Sequence, residues 1–547
     1  MLSGDPVRAD AALKLGMVDK VIEGDLLKGA VAYAEELIAA GAKPRRISQS
    51  DGKRGTPAEA QAAIGAAKKE MGRQLRGTFS PFQIMKCVGQ AASLPFAEGL
   101  KAERENFGEC LGSAQSRGLR HYFFAEREVT KIPDVPKDTK TRAVKSAAVI
   151  GFGTMGGGIA MNFVNAGVPV KVLEMSKEAY DKGLGIVQRN YAGTVAKGRL
   201  AQADMDKRMG LLSFASSYEE LRDADMVIEA VFEEMDIKKE TFRKLDAAMK
   251  PGAVLATNTS TLSIDEIANA TKRPEDVIGL HFFSPANVMR LLEIVRGKKT
   301  KADVIATSLE VAKAIRKVGV VVGNCDGFVG NRMLARYTGE ATFLIDEGAL
   351  PQQVDKAIFD FGLAMGPFAM GDLAGLDVGW RIRKRRKTEG SNLELPTVLA
   401  DELCELGRFG QKTGAGYYKY EKGDRTPIPD PMVEQMLLAR SKKLGIQRRA
   451  ISDEEIVERC MYPLVNEGCK ILEEGIALRA SDIDVIYVNG YGFPSYRGGP
   501  MAWAEEVGLK KVYDTVCRFH DKHGPRWTPA KLLQRLVEQG KGFNSIR

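Results

Sequence analysis

The sequence predicts an α/β fold: a doubly wound, mostly parallel sheet near the middle of the chain, preceded by helices and followed by two repeated all-α units. Three observations carry this reading. From Ala147 to Val322 short β-branched runs alternate with amphipathic stretches, the pattern of a parallel sheet covered by helices on both faces. A glycine-rich turn, Gly151-Phe152-Gly153-Thr154-Met155-Gly156, joins the first run to the first of those helices. Beyond Asp326 the chain reads as helical, and Arg332, Glu340 and Glu347-Gly348 recur 127 positions later as Arg459, Glu467 and Glu474-Gly475. Each copy runs on to a Gly/Pro-rich turn, at Gly366-Pro367 and at Gly492-Phe493-Pro494, so two related helical units packed on one another are expected.

Taken in order, residues 1–45 read as a helix, a short strand near Val18–Ile22 and a second helix ending at Gly41. That piece is too small to hold a core of its own. Residues 46–130 are helical by pattern, and Lys131-Ile132-Pro133-Asp134-Val135-Pro136-Lys137 supplies a linker. The sheet runs are Ala147–Ile150, Val168–Leu173, Ala224–Val231, Ala253–Ala256 and Val277–Leu280, with further short strands at Leu291–Val295 and Gly319–Val322. The expected limits are a front segment 1–45, a helical linker 46–144, a nucleotide-binding domain 145–325, and helical domains 326–425 and 450–547.

With 547 residues the chain can bury several cores, and 44% apolar with 28% charged residues is an ordinary globular composition. No stretch approaches the roughly 18 uncharged apolar residues of a membrane helix, so no span is expected. The opening Met1–Asp5 has no basic-then-apolar signal pattern, and Ser545-Ile546-Arg547 is not a Ser-Lys-Leu address. Seven cysteines lie singly from Cys87 to Cys517. Their spacing suits neither zinc nor a disulfide framework, so no metal and a reducing, cytoplasmic setting are expected. The net charge of +9 is compatible with an anionic partner such as a phosphorylated cofactor. The densest basic run, Arg381-Ile382-Arg383-Lys384-Arg385-Arg386-Lys387, comes without a recognition motif or interleaved aromatics. Nucleic-acid binding is therefore not expected.

A G-x-G-x-x-G placed between a strand and a helix points to a Rossmann-type dinucleotide site. Gly151 permits the tight turn, Gly153 lets the backbone approach a pyrophosphate, and Gly156 allows close helix–strand packing. The helix N-terminus offers free N–H groups to the phosphates. The acid after the second strand, Glu174, suits a ribose 2′-hydroxyl and repels a 2′-phosphate, which predicts NAD over NADP. Lys177, close by, weighs the other way.

In such a sheet, ligands bind at the carboxyl ends of the strands. Glu174, Glu233, Thr257–Thr261 with Ser260, and His281 fall there. His281 is one of four histidines and the one placed at that edge. In Leu291-Leu292-Glu293-Ile294-Val295 the acid shares a face with Leu291 and Val295, and a carboxylate among apolar neighbours needs a partner. His281, at the end of the adjacent strand, is the candidate. Such a pair fixes the imidazole tautomer and suits a base that removes a hydroxyl proton. A structural histidine and an unrelated glutamate are the bland alternatives.

Several segments together carry a resemblance. Gly151–Gly156, His281-Phe282-Phe283-Ser284-Pro285-Ala286, Leu292–Val295, Asp326-Gly327-Phe328-Val329-Gly330-Asn331-Arg332, Gly414-Ala415-Gly416-Tyr417-Tyr418 and Asn489-Gly490-Tyr491-Gly492-Phe493-Pro494 resemble the 3-hydroxyacyl-CoA dehydrogenase family. The likeness runs from about Lys145 to Glu505 and is strongest to the dehydrogenase part of multifunctional β-oxidation proteins. It implies NAD as cofactor and an acyl-CoA substrate, with His281 as general base and Glu293 as its partner. It also implies substrate contacts by Ser260 and Asn331, and cofactor contacts by Gly151, Gly153, Met155, Gly156, Glu174, Glu233, Lys238, Ser260 and Ser284. Ser284 departs from the asparagine many relatives carry. The basic run itself reads as a solvated or CoA-facing helix end. Homo-oligomers and a thiolase partner both stay open.

Residues 3–41, with Pro6-Val7-Arg8-Ala9-Asp10-Ala11-Ala12-Leu13-Lys14-Leu15-Gly16-Met17-Val18-Asp19, resemble the last part of a crotonase-type hydratase/isomerase domain. The resemblance implies that the acid/base glutamates of such a domain lie upstream of this segment, so a chain without hydratase activity is expected. Phe123-Phe124-Ala125-Glu126-Arg127 resembles the family's linking helix. A dehydrogenase of another hydroxy acid and a non-catalytic fragment are the competing readings.

Overall fold

The computed structural model describes residues 2, 4–49, 54–388 and 398–546. Met1, Ser3, Arg547 and, of the basic run, the side chains of Arg385, Arg386 and Lys387 lie outside what is described. The chain divides into two compact units, Met1–Ser116 and Arg117–Arg547. The division falls inside the stretch expected as one linker.

The first unit is helical: Ala9–Leu15, Leu26–Ala39, Pro57–Leu75, Ser80–Ser93 and Phe96–Gly112. Thr56 and Glu59 close a reciprocal cap on the third helix, which satisfies two donors that the helix itself leaves free. The expected strand at Val18–Ile22 is absent: the segment is irregular, because a strand needs a neighbour to receive its backbone bonds and the flanking elements are helices.

The second unit is built on an eight-stranded sheet. Its strands are β1 Ala147–Ile150, β2 Val170–Leu173, β3 Leu212–Ala215, β4 Met226–Glu229, β5 Val254–Thr257, β6 Val277–Phe282, β7 Leu291–Arg296 and β8 Val318–Gly323. Their order is β3-β2-β1-β4-β5-β6-β7-β8. Strands β1 to β6 are parallel, β7 runs antiparallel to β6, and β8 follows β7 in parallel. The central strands β1, β4, β5 and β6 are buried along their whole length, as expected for a sheet covered on both faces. One face packs on Ile159, Phe163 and Val164 of the helix that follows the glycine turn, and on Val304 and Ile305. The other packs on Phe242, Leu245 and Ile264 and continues into the helical region through Phe328 and Met333.

The repeat in the helical region closes on itself. Helix Gly330–Glu347 packs along helix Asp453–Glu473, and each arginine reaches across to the two glutamates of the other copy. Arg332 donates to Glu467 at 2.7 Å and to Glu474 at 2.6 and 2.7 Å. Arg459 donates to Glu340 at 2.8 and 3.0 Å and to Glu347 at 2.6 and 2.9 Å. Arg459 has no exposed surface, so these bonds are what make its charge tolerable there.

A second correspondence explains why the end of the linker belongs to this unit. Asp355 accepts from Phe368 N and Ala369 N at 2.9 Å, and from the Tyr418 hydroxyl at 2.7 Å. In the other copy Asp484 accepts from Met501 N at 2.7 Å. There His121, from helix Ala114–Glu128, takes the place of the tyrosine, with Nε2 2.8 Å from Asp484 Oδ2. Gly118 of the same helix lies so close to the turn that a Cβ would meet Tyr496 O at 2.5 Å.

Candidate active site

The glycine turn fits a dinucleotide residue by residue. Gly151 adopts φ +88, and a Cβ there would meet Ala230 O at 2.8 Å, so both conformation and space demand glycine. At Gly156 a Cβ would lie 1.9 Å from Gly151 O, whereas at Gly153 it would meet nothing within 4 Å. The space beside Gly153 is therefore open for a ligand. Gly153 caps helix Thr154–Asn165 without a side-chain bond to the free N–H groups. Met155, in the first turn, is half-buried. Glu174, directly after β2, accepts from Phe152 N at 2.6 Å and from Met175 N at 3.0 Å, which holds its carboxylate beside the turn.

The imidazole and its acid meet across the β6–β7 pair. These strands are antiparallel, and His281 stands opposite Glu293 in the register, a position that brings Cβ atoms about 5 Å apart. His281 Nδ1 lies 2.7 Å from Glu293 Oε2. Glu293 has no exposed surface, and His281 retains 5%. The second carboxylate oxygen, Oε1, accepts from Gly330 N at 2.9 Å, at the start of helix Gly330–Glu347. One buried acid thus holds both the ring and a helix N-terminus, where negative charge is favoured. Carboxylate oxygens accept only, so the ring proton sits on Nδ1 and Nε2 is left as a base. The ring is walled by Phe283, 4.4 Å away between centroids, and Phe328 at 5.7 Å. Phe328 is a non-glycine residue with φ 50 that follows Gly327 at φ 75, a strained turn of the kind found where side chains must be aimed.

Glu233 gathers the loop after β5. Its Oε1 accepts from Thr259 Oγ1 at 2.8 Å, Ser260 N at 2.7 Å, Ser260 Oγ at 2.9 Å and Thr261 N at 3.2 Å. Burial acts to raise the Glu233 pKa, but the Lys238 ammonium and the bonds from Ser260 and Thr259 prevail and hold it below the usual carboxylate range. With its proton directed at Glu233, the Ser260 hydroxyl remains an acceptor. Asn331 reaches the same loop from the helical region: Nδ2 donates to Ser260 O at 3.3 Å, and Oδ1 accepts from the Tyr491 hydroxyl at 2.9 Å.

Two residues expected at the cofactor sit in contrasting settings. Lys238 has no exposed surface. Its ammonium bonds Glu229 at 2.7 and 3.0 Å and lies 3.4 Å from Glu233 Oε2. Its effect on the site runs through Glu233. Ser284 is exposed beyond the end of β6. Its loop is held by Lys317, which donates to Ala286 O and Met289 O at 2.6 Å each, and by Asn162, which donates to Ala286 O at 3.0 Å.

Two family models match the chain: the NAD binding domain of 3-hydroxyacyl-CoA dehydrogenase over residues 146–325, and the C-terminal domain of the same enzyme over residues 327–420 and again over 456–543. The chain belongs to the 3-hydroxyacyl-CoA dehydrogenase family. Among curated relatives, the peroxisomal bifunctional enzyme of Danio rerio is 42% identical over 560 residues, covering 98% of this chain and 76% of that protein. Among solved structures, the dehydrogenase part of multifunctional enzyme 1 from C. elegans is 33% identical with a TM-score of 0.57, covering 76% of this chain and 96% of that one. The 3-hydroxybutyryl-CoA dehydrogenase of Escherichia coli is 27% identical with a TM-score of 0.63, covering 73% of this chain and all of that one.

As a 3-hydroxyacyl-CoA dehydrogenase the chain is an NAD-binding oxidoreductase, and the second helical copy is a true repeat of the first. Among the described residues no group of His, Cys, Asp and Glu could hold a metal ion, and no helix is long and apolar enough to cross a membrane. The sequence reading overlooked Gly330 N, Tyr491, Phe283 and Glu229. Gly330 and Tyr491 both lie in segments that carried the family resemblance, but 161 positions apart. Their meeting is a property of the fold alone.

Proposed function

We propose that this chain oxidises (S)-3-hydroxyacyl-CoA to 3-oxoacyl-CoA in fatty-acid β-oxidation. The observation that carries the proposal is the buried His281–Glu293 pair, 2.7 Å apart, at the edge of the sheet that also carries the glycine turn. His281 Nε2 takes the proton of the 3-hydroxyl, and the resulting imidazolium is stabilised by the Glu293 carboxylate through Nδ1–H. Asn331 holds the 3-oxygen through the N–H not spent on Ser260 O, and Ser260 does so by turning its hydroxyl proton from Glu233 to that oxygen. Gly151, Gly153 and Gly156 would hold the pyrophosphate of NAD and Glu174 its ribose, and the cofactor would supply the acceptor for the hydride from C3. Phe283 and Phe328 keep water from the ring.

The domain limits proposed earlier follow the same reading, with the nucleotide-binding domain at 145–325 and helical domains at 326–425 and 450–547. Hydration of an enoyl thioester calls for acid/base carboxylates in an enclosed pocket. Among described residues 4–45 Ala12 alone is buried, so this segment supports no such pocket. We assign a reducing compartment because all seven cysteines are free. The cytoplasm is one such place, and the names of the relatives point to the peroxisome, which localisation of the tagged chain decides. The functional test is NADH oxidation by the purified chain with acetoacetyl-CoA, run beside crotonyl-CoA hydration. The first is expected to proceed and the second to fail; inactivity toward acetoacetyl-CoA overturns the proposal.

A further inference from the structure

The second helical repeat contributes to the active site through two tyrosines. Helix Ala480–Gly490 carries Tyr487, and Tyr491 follows as its cap. The rings stack, 4.8 Å between centroids with 22° between planes. The Tyr487 hydroxyl donates to Gly330 O at 3.2 Å, and the Tyr491 hydroxyl donates to Asn331 Oδ1 at 2.9 Å. Tyr491 also meets Phe283 edge-on at 5.3 Å, and Phe283 is the residue against the His281 ring. The Gly330-Asn331 pair is therefore gripped from behind by one repeat while belonging to the other. Toward the reaction it presents Gly330 N to Glu293 and the Asn331 amide to the Ser260 loop. The fit leaves no room: a Cβ on Gly330 would lie 2.4 Å from the Tyr491 hydroxyl oxygen and 2.5 Å from its ring.

We infer that Tyr491 is a positioning residue that sets which end of the Asn331 amide faces the substrate oxygen. The reasoning is one of donor and acceptor. Ser260 O can only accept, so Nδ2 must face it, and Oδ1 must then face Tyr491, whose hydroxyl donates. That spends one N–H of the amide and leaves the second for a substrate oxygen. Without the tyrosine hydroxyl, Oδ1 loses its donor among the described residues, and the single 3.3 Å bond to Ser260 O is left to oppose turning of the amide. A turned amide would offer a lone pair to the substrate oxygen instead of an N–H. Burial pushes the Tyr491 phenol well above its ordinary pKa, so it stays a donor at any working pH.

The inference rests on the catalytic reading above, and the experiment separates the two. Steady-state kcat and KM for acetoacetyl-CoA are measured in the full chain for Tyr491→Phe, Asn331→Ala, the double variant and His281→Gln. Tyr491→Phe keeps the ring stack and removes one hydrogen bond to a group that orients substrate. A fall of about 10-fold in kcat is expected, with NADH affinity within about twofold. In the Asn331→Ala background the same change is expected to have no further effect, since the hydroxyl then has nothing to orient. Damage through misfolding would appear equally in both backgrounds. Tyr491→Phe at parental kcat, or a full 10-fold loss persisting without Asn331, overturns the inference while leaving the catalytic pair untouched. Parental turnover in His281→Gln overturns the catalytic reading itself.

Discussion

Glu293→Gln is the substitution on which the geometry speaks most sharply. Both Glu293 oxygens accept, one from His281 Nδ1 at 2.7 Å and one from Gly330 N at 2.9 Å, and the residue has no exposed surface through which water could substitute. Glutamine has a single acceptor oxygen. If its NH2 faces His281, the ring must move its proton to Nε2, and the base is blocked. If the NH2 faces Gly330, two donors meet at a helix start and the carboxylate charge that steadied the imidazolium is gone. A hydrogen bond to a charged group contributes about 1.5–3 kcal/mol, and a buried donor left unsatisfied costs about 1–3 kcal/mol. Together these amount to roughly 3–5 kcal/mol in the transition state, or about 10² to 10⁴-fold in kcat. The assay is acetoacetyl-CoA-dependent NADH oxidation at saturating substrates, with NADH binding followed by fluorescence. NADH affinity is expected to hold within about twofold, because neither partner of Glu293 belongs to the glycine turn. A variant with kcat within about threefold of the parent would refute the reasoning, since no tautomer argument survives such a result.

Four further substitutions test other parts of the account. Gly153→Ala is expected to fold normally, since its Cβ meets nothing within 4 Å, yet to lose about 10-fold or more in NAD affinity as the methyl enters the pyrophosphate's space. Gly156→Ala, whose Cβ would lie 1.9 Å from Gly151 O, is expected to lower the melting temperature as well. Arg459→Ala removes the bonds of Arg459 to Glu340 and Glu347 and leaves Glu340 with Arg526 and Glu347 with the longer Arg449 contact, so a loss of about 1.5–3 kcal/mol is expected in urea denaturation. A loss below about 1 kcal/mol would show that the crossed pairs between repeats contribute little. Burial, with the Arg459 guanidinium beside it, pushes the His523 imidazole down to about 4. The unfolded chain, with an ordinary value of about 6.5, then binds more protons between pH 4 and 6.5, so this group erodes stability as pH falls through that window. His523→Gln is expected to flatten the acid side of the stability curve by about 1 kcal/mol, the side chain being only partly buried; an unchanged slope counts against the assignment.

Much of the sheet and the nucleotide turn was legible because local rules decide them. Backbone conformation and space at Gly151 and space at Gly156 require glycine, and a strand buried on both faces shows as an unbroken apolar run. Edge strand Leu212–Ala215 escaped notice because it is only partly buried and its pattern is mixed. Val18–Ile22 misled for the opposite reason, since its apolar residues suit a strand but no neighbour pairs with them. Glu293 was legible as an anomaly, an acid on an apolar face, and the twelve residues to His281 suited a partner on the next strand. The reversal of β7 was not legible, and it sets the two side chains directly opposite. The burial of Lys238 was not legible because Glu229, the acid that pairs with it, lies at a strand end and shows no pattern in sequence. The repeat announced two packed units, but the exchange of arginines between them follows from antiparallel packing of two long helices, which spacing alone does not reveal. Tyr491 and Gly330 were unreadable for the same reason.

The central claim is that His281, steered by Glu293, removes the hydroxyl proton while hydride leaves C3. Turnover of His281→Gln, measured beside its NADH affinity, tests this most directly. The account expects kcat to fall about 10² to 10⁴-fold with cofactor binding essentially unchanged. Near-parental turnover in a correctly folded variant would contradict it.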